Sequence, residues 1–191
     1  MTQCAVTAEA SFKAVMAKFA TGVTVVTSHG ADGPAGMTAN AVASLSLDPL
    51  LIMVGFELRS RTLAAVRYSD RFAVNVLAAG QESLSRTFAG KQPEPEKFAG
   101  CAYADHAGVP LLTGTLAWLC CGVHAIHPGG DHVIVVGSVL DLGGSGGDPL
   151  LFYGGGYRRL APPAAPAAPV SDPAGPAAES GAPAGPAGRY R

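Results

Sequence analysis

The sequence predicts a mainly β domain, an antiparallel barrel that is closed or nearly closed and carries a few short helices. Roughly seven apolar or alternating runs of strand length follow one another, separated by turn residues. The connections are too short for the repeated helical crossovers that parallel strands need, and a barrel disposes of exposed sheet edges. The glycine clusters at 143–148 and 154–156 do not fit G-x-G-x-x-G between a strand and a helix, so we interpret them as flexible turns.

The first predicted element is a helix near the N-terminus. Thr7 is suited to cap its start, and Gly22 is placed to end it. Apolar residues recur at the spacing of one helical face, at Phe12, Val15, Met16 and Phe19.

Strand-like runs then fill the middle of the chain. They are GVTVVTS, MTANAVASLSL, DPLLIMVGFE and RFAVNVLA, with HGADGPAG as a turn between the first two. Two short helices are predicted at residues 62–69, behind a Ser60 cap, and at residues 81–88. Two long runs, LAWLCCGVHAIH and HVIVVGSVLDL, are joined by PGGD, which predicts a hairpin with glycine at the positive φ positions.

Composition divides the chain into one domain, residues 1–160, and a tail, residues 161–191. The tail is dominated by Pro, Ala and Gly and has one Val but no Leu, Ile, Phe or Met. Such a segment buries too little apolar surface to offset the entropy of ordering, so we predict that it is disordered.

Charge and targeting signals exclude several classes of partner. Lys and Arg number 13 against 14 for Asp and Glu, with no run of like charge, so we expect neither nucleic acid nor a membrane surface as partner. The N-terminus lacks a signal-peptide pattern, and no apolar run is long enough to span a bilayer. We therefore expect a cytoplasmic protein whose partners are small molecules or other proteins.

The sequence offers neither a metal site nor a catalytic nucleophile. The four cysteines lack C-x-x-C spacing, and Cys120 and Cys121 lie in an apolar run where free cysteine behaves as a small hydrophobe. The five histidines are scattered, and no G-x-S-x-G elbow is present. If the chain is an enzyme, we expect its reactivity to come from a cofactor.

Two polar clusters are predicted to face one site. The first places Thr38, Asn40, Ser44 and Ser46 on a single strand, and the second is formed by residues 59–62 at a helix start. A helix N-terminus with hydroxyl groups and an arginine is suited to bind a phosphate. Ordinary helix capping by Ser60 and Thr62 is the alternative explanation.

Seven motifs resemble, in order and with compatible spacing, those of the short-chain flavin reductase family. They are TGVTVVT, GMTANAVASLSLDPLLIMV, RSRT, RFAVNVL, FAGKQPEPEKFAG, GDHVIVVGSV and PLLFYGGGYRRL. The family comprises the reductase components of two-component flavin monooxygenases, and the resemblance covers residues 12–160. It implies an FMN-binding split barrel, a homodimer with flavin near the subunit interface, and NADH or NADPH as hydride donor.

The resemblance also implies roles for individual residues. Thr38, Ala39 and Asn40 are expected along the flavin ribityl chain and phosphate, and Ser44 is a neighbour of the ring. Ser60, Arg61 and Thr62 resemble the phosphate-holding step. Phe88 resembles a residue that borders the isoalloxazine ring, with a core role as the alternative. His132 resembles a nicotinamide-contacting histidine, with a surface role as the alternative, and Tyr157 matches an aromatic position near the pocket.

The resemblance implies hydride transfer from NAD(P)H to FMN or FAD and delivery of reduced flavin to an oxygenase component. Hydride transfer needs two stacked rings and no protein nucleophile, so no catalytic residue is expected. A flavin carrier or redox sensor of the same fold, without NAD(P)H activity, is the alternative. The sequence does not choose between FMN and FAD, or between NADH and NADPH.

Overall fold

The computed structural model describes residues 7–161. The predicted disordered tail lies, from residue 162 onwards, outside the described residues and stays a prediction. The helices within this range are α1 (Ala8–Met16), α2 (Arg61–Ser69), α3 (Glu82–Ala89) and α4 (Glu94–Phe98). The strands are β1 (Thr21–Gly22), β2 (Thr24–Gly30), β3 (Gly33–Ala39), β4 (Val42–Leu47), β5 (Leu50–Glu57), β6 (Arg71–Val76), β7 (Tyr103–His106), β8 (Val109–Leu112), β9 (Ala117–Gly129), β10 (His132–Gly144), β11 (Leu151–Tyr153) and β12 (Gly156–Arg158).

Seven strands form one antiparallel sheet in the order β3-β2-β6-β9-β10-β5-β4. Its edge strands, β3 and β4, are consecutive in the chain and separated only by Asn40 and Ala41. In a flat sheet the six spacings between these edges would add up to about 29 Å. Three steps of extended chain from Ala39 to Val42 span at most about 11 Å. The sheet must therefore curl until its edges nearly meet, which confirms the predicted split-barrel class.

The sheet buries side chains on both of its faces along β2. Val26 belongs to the main core with Val54, Phe56 and Phe72, whereas Val25 belongs to a second cluster with Leu77 and other residues. Neighbouring side chains of a strand point to opposite faces, so β2 serves two cores. The second cluster packs the short helices against the barrel through Phe88 and Phe98.

A buried asparagine fixes the β7–β8 hairpin to the sheet. The Nδ2 of Asn75 donates to Val25 O and Thr27 Oγ1, both at 3.0 Å, and its Oδ1 accepts from Leu112 N at 2.9 Å. The Thr27 hydroxyl in turn donates to Pro110 O. Because buried polar groups are costly when unpaired, this network holds the hairpin in one position.

The N-terminal helix is present but shorter than predicted. The Thr7 side chain caps it by accepting from Ala10 N at 3.2 Å, and the helix ends at Met16 rather than near Gly22. None of its residues is buried within the described chain. Its predicted apolar face is exposed, with relative exposures of 66% at Phe12, 68% at Val15, 48% at Met16 and 69% at Phe19.

The run MTANAVASLSL is two strands, and the prediction of one strand was wrong. It breaks at Asn40 and Ala41, where the chain crosses from one edge of the curled sheet to the other. The preceding turn is tighter than predicted, because β2 and β3 pair as far as Gly30 and Gly33. Helix α4 and the β7–β8 hairpin had no sequence prediction.

The long hairpin and the glycine turns agree with the predictions in most of their length. Strands β9 and β10 pair from Gly129 and His132, and Gly130 in the turn has φ 75°. Gly154 and Gly155 form the turn between β11 and β12. Gly143 and Gly144, by contrast, belong to the end of β10 rather than to a flexible turn. Within residues 7–161, every helix is too short or too polar to span a lipid bilayer.

Gly137 on β10 lies where the main core leaves no space for a side chain. A Cβ there would lie 2.5 Å from Phe72 Cζ and 3.0 Å from Cys121 Cβ. Phe72 has 0% exposure, so its ring has no free space to move into. We expect Gly137→Ala to lower the free energy of unfolding by about 1–3 kcal/mol through overpacking, measured by denaturant titration.

The matched control is Gly80→Ala, because a Cβ at Gly80 meets nothing within 4 Å. Equal stability of the two variants would contradict the packing described for Gly137.

Candidate functional site

A polar cleft of about 600 Å³ is lined by the end of β3, the start of α2 and residues of α4. This polar cleft brings together residues that the sequence placed in separate clusters, and His132 from the start of β10. The predicted site residues that line it are Thr38, Ala39, Asn40, Ser60, Arg61, Thr62, Phe88 and His132. Ser44 and Tyr157 lie elsewhere.

The strand side of the polar cleft is held by hydrogen bonds to neighbouring elements. The Thr38 hydroxyl donates to Ser85 O at 2.6 Å, which ties β3 to α3. The Ala39 carbonyl accepts from Thr24 Oγ1 at 2.6 Å. Asn40, beyond the end of the strand, is exposed. Asn40 is thus free to meet a ligand at the split in the barrel.

The start of α2 offers hydrogen-bond donors to the polar cleft. Ser60 caps the helix, with its Oγ accepting from Leu63 N at 3.4 Å and its carbonyl accepting from Ala64 N at 3.2 Å. The first N–H groups of a helix, here those of Arg61 and Thr62, have no partner inside the helix. Thr62, the second residue of the helix, is only 1% exposed and lines the cleft. Capping and anion binding are therefore compatible, because they use different groups of the same turn.

The sequence did not predict the network that surrounds Arg61. The Arg61 Nε lies 3.2 Å from Glu94 Oε1, and its Nη2 donates to the carbonyls of Lys91 and Gln92. Glu94 also pairs with Lys97 at 3.2 Å. The motif FAGKQPEPEKFAG contains these partners, but its spacing alone gave no sign that they reach α2.

The polar cleft is more basic than the chain as a whole. The formal charge of the complete sequence is −1. Four cationic side chains line the cleft against two carboxylates: Arg59, Arg61, Lys91 and Lys97 against Glu57 and Glu94. This excess of positive charge favours an anionic ligand.

Phe88 serves both the core and the polar cleft. It is 1% exposed, and its ring packs edge-on against Phe98 with centroids 5.0 Å apart. A Cβ at Gly36 would lie 2.7 Å from Phe88 Cε1, so β3 approaches the ring closely only because residue 36 is glycine. This position agrees with the core role of Phe88, and it also leaves Phe88 in the lining of the polar cleft.

His132 reaches the edge of the polar cleft from the turn of the long hairpin. Its side chain is 50% exposed, and its Nδ1 lies 2.7 Å from Asp131 Oδ1. This hydrogen bond and the electrostatic attraction of the His132 side chain lower the pKa of the Asp131 carboxyl from its ordinary value. The opposite residue in the sheet register is Glu57 on β5. His132 is therefore oriented but still accessible.

Ser44 lies in a second, apolar cleft of about 530 Å³, because it belongs to β4 rather than to the strand of Thr38. The walls of this apolar cleft are mostly aliphatic, with Val42, Leu51 and Val139 among them. Asn40 lines both clefts. The two clefts therefore meet at the connection between the edge strands.

Tyr157 is placed behind α3, outside these two clefts. Its hydroxyl lies 2.9 Å from Ser85 Oγ, and the Arg86 guanidinium lies over its ring at 4.9 Å. Ser85 is also the residue whose carbonyl binds Thr38. Tyr157 thus reaches the polar cleft only through α3.

The cysteines and the candidate metal ligands are further chemically reactive side chains of the described range. Within residues 7–161, no group of three or more His, Cys, Asp or Glu side chains could hold a metal ion. Burial raises the pKa of the Cys120 thiol to about 11 and that of Cys121 to about 12. Thiols that stay protonated near neutral pH are poor nucleophiles, which agrees with their predicted role as small hydrophobes.

Comparison with known proteins gives a consistent result. The family model described as "Flavin reductase like domain" matches residues 16–161. An NADH-dependent flavin reductase of a Rhodococcus species is 41% identical over 148 residues, which cover 76% of this chain and 82% of the relative. The reductase component of 4-hydroxyphenylacetate 3-monooxygenase from Thermus thermophilus is 41% identical over 155 residues, 81% of this chain and 98% of the relative.

A solved structure extends the likeness to three dimensions. The NADH:FAD oxidoreductase SgcE6 of Streptomyces globisporus C-1027, in complex with NAD and FAD fragments, matches with a TM-score of 0.78 and 34% identity, covering 86% of this chain and 100% of that one. The motifs, the split barrel and these matches agree, and the chain belongs to the flavin reductase like domain family.

Proposed function

We propose that this chain is an NAD(P)H-dependent flavin reductase that reduces FMN or FAD and supplies reduced flavin to a partner monooxygenase. The observation that carries the proposal is the meeting of a basic polar cleft and an apolar cleft at Asn40. A flavin nucleotide has a phosphate, a polar ribityl chain and a flat, largely apolar ring. The paired clefts offer a matching environment for each of these parts.

The phosphate is assigned to the start of α2. The first N–H groups of the helix and the positive end of its dipole lie there, together with the cleft-lining residues Ser60, Arg61 and Thr62. Thr38, Ala39 and Asn40 would then follow the ribityl chain along the end of β3. Phe88 supports that strand from behind, and Ser44 lines the apolar cleft assigned to the ring.

Bound flavin supplies the chemistry, because its ring accepts a hydride from a reduced nicotinamide. The chain itself binds and orients the two nucleotides and excludes water from the apolar cleft. His132, oriented by Asp131 at the cleft edge, is assigned to the nicotinamide nucleotide. No protein nucleophile is required, which fits the buried Cys120 and Cys121, whose thiol pKa values are raised by burial.

NADH is the donor we favour, because both the Rhodococcus and the Streptomyces relatives are named for it. The flavin is left as FMN or FAD, since both carry the phosphate that the α2 site would bind. An oxygenase partner is supported by the Thermus relative, which is a monooxygenase reductase component. A reaction that consumes reduced nicotinamide supports a cytoplasmic location.

A homodimer is part of the proposal. Apolar side chains of α1, of β4 and of the segment between α1 and β1 are exposed in the single chain, including Phe12 at 66%, Leu47 at 82% and Phe19 at 69%. Phe19 and Leu47 also line the apolar cleft. A second copy that covers these side chains would close the cleft assigned to the ring.

Nicotinamide oxidation in the presence of added flavin tests the proposed function. We expect the purified chain to oxidise NADH only when FMN or FAD is added. The decrease in NADH absorbance measures this oxidation. Reactions without flavin or without the chain are the controls. A folded sample that binds flavin but oxidises neither NADH nor NADPH would favour the flavin carrier or redox sensor instead.

The phosphate assignment predicts the effect of changes at the start of α2. We expect Thr62→Ala and Arg61→Ala to weaken FMN binding roughly tenfold to a hundredfold, since each removes a hydrogen bond to a charged group worth about 1.5–3 kcal/mol. Quenching of flavin fluorescence measures the affinity. Arg67→Ala, an exposed arginine in the last turn of the same helix, is the matched control. Unchanged affinity in both cleft variants would remove α2 from the site.

The two residues assigned to the nicotinamide by sequence should behave differently. His132→Ala should raise the KM for NADH about fivefold, because the variant loses one hydrogen bond to the nucleotide. The affinity for flavin should stay unchanged. His127→Ala, an exposed histidine on the neighbouring strand, is the control. Parallel losses in stability and in both affinities would assign His132 a structural role.

Tyr157→Phe should leave the KM for NADH unchanged and lower the free energy of unfolding by about 1 kcal/mol, because Ser85 loses its hydroxyl partner. Steady-state kinetics and a denaturant titration of this variant measure the two quantities. A raised KM with unchanged stability would instead place Tyr157 at the nicotinamide.

A further inference from the structure

The Glu94 carboxylate lies at the centre of the basic end of the polar cleft. Its Oε2 accepts from Gly36 N at 2.9 Å, and its Oε1 lies 3.2 Å from both Lys97 Nζ and Arg61 Nε. The side chain is 14% exposed, so solvent screens its charge only weakly. One carboxylate is therefore shared by two cations and a backbone amide.

Lys97 and Arg61 hold this carboxylate in different ways. Lys97 is 5% exposed, and its Nζ also donates to Gly36 O at 3.0 Å, so it is fixed between α4 and β3. Arg61 is 49% exposed and lies beside the α2 amides assigned to the phosphate. Its remaining partners are the carbonyls of Lys91 and Gln92. Of the two cations, Arg61 is the one able to change partner.

We propose that Glu94 competes with the flavin phosphate for Arg61 and thereby weakens the binding of flavin nucleotides. The inference rests on the proposed function, in particular on a phosphate at the start of α2. When the phosphate arrives, the Arg61 guanidinium would exchange part of its pairing with Glu94 for the phosphate oxygens. Lys97 stays with Glu94 and balances its buried charge throughout.

The sign of the effect follows from the charges. The phosphate and the Glu94 carboxylate are both anions, so bringing them to one arginine costs repulsion that a neutral side chain would not cause. A glutamine at position 94 keeps a carbonyl for Lys97 or Arg61 but removes the charge. A reductase that hands its flavin to another protein benefits from such a restraint on affinity, because the flavin must leave.

The test compares FMN with riboflavin, which has the same ring and ribityl chain but no phosphate. In Glu94→Gln we expect the Kd for FMN to fall roughly threefold to tenfold. This is the effect of removing one negative charge about 8 Å from the phosphate, in a medium whose dielectric constant lies between those of protein and water. The Kd for riboflavin should not change, and added salt should reduce the gain for FMN. Fluorescence titration measures both ligands.

The matched control is Glu96→Gln, which makes the same charge change at an exposed position of the same helix. It should leave both affinities unchanged. Equal or weaker FMN binding in Glu94→Gln, or equal gains for FMN and riboflavin, would overturn the proposal. A purely structural role of Glu94 would alter the two ligands together.

A measurement on the unaltered chain covers the case in which Glu94→Gln does not fold. The Arg61 Nε–H resonance, assigned by its loss in Arg61→Lys, should shift when FMN saturates the chain and stay in place with riboflavin. An unchanged resonance with FMN would contradict the exchange of partners. If the unaltered chain binds neither FMN nor riboflavin, the proposed function itself fails, an outcome distinct from the others.

Discussion

The connection of Asn40 and Ala41 is the constraint on which much of this structure depends. It joins the two edges of a seven-stranded sheet, so the sheet has to curl and its edges have to approach without pairing. Gly55 N donates to Ala41 O at 2.9 Å, which anchors the connection to β5. The same split brings the polar and apolar clefts together at Asn40. Fold and site therefore have one geometric cause.

Charge is concentrated on one side of this split. The barrel core is apolar, and the cationic side chains of the polar cleft come from the start of α2, from α4 and from the segment that precedes α4. The Glu94 and Lys97 pair binds the N–H and the carbonyl of the same residue, Gly36. The strand that would contact the ribityl chain is thus fixed by the network that would tune the phosphate site.

The sequence predicted the features that depend on local chemistry. The caps at Thr7 and Ser60 and the turn at Gly130 follow from side-chain hydrogen bonding and backbone freedom, which act over a few residues. The family motifs led to eight of the predicted site residues that line the polar cleft. These parts of the fold and site needed no long-range information.

The features that the sequence did not predict depend on packing between residues far apart in the chain. The break at Asn40 depends on the closure of the whole sheet, so the alternating pattern of MTANAVASLSL continued across it and put Ser44 on the wrong strand. The pairing of Arg61 with Glu94 joins residues 33 positions apart in the chain. Tyr157 depends on α3, which stands between it and β3. None of these contacts leaves a periodic signal.

A crystal structure of the chain with FMN would show directly where the flavin binds. We expect the phosphate oxygens within hydrogen-bonding reach of the Thr62 hydroxyl and the first α2 amides, the ribityl chain along residues 38–40, and the ring across Asn40 in the apolar cleft. A phosphate bound away from α2, or a ring lying on the far side of the polar cleft, would contradict this placement.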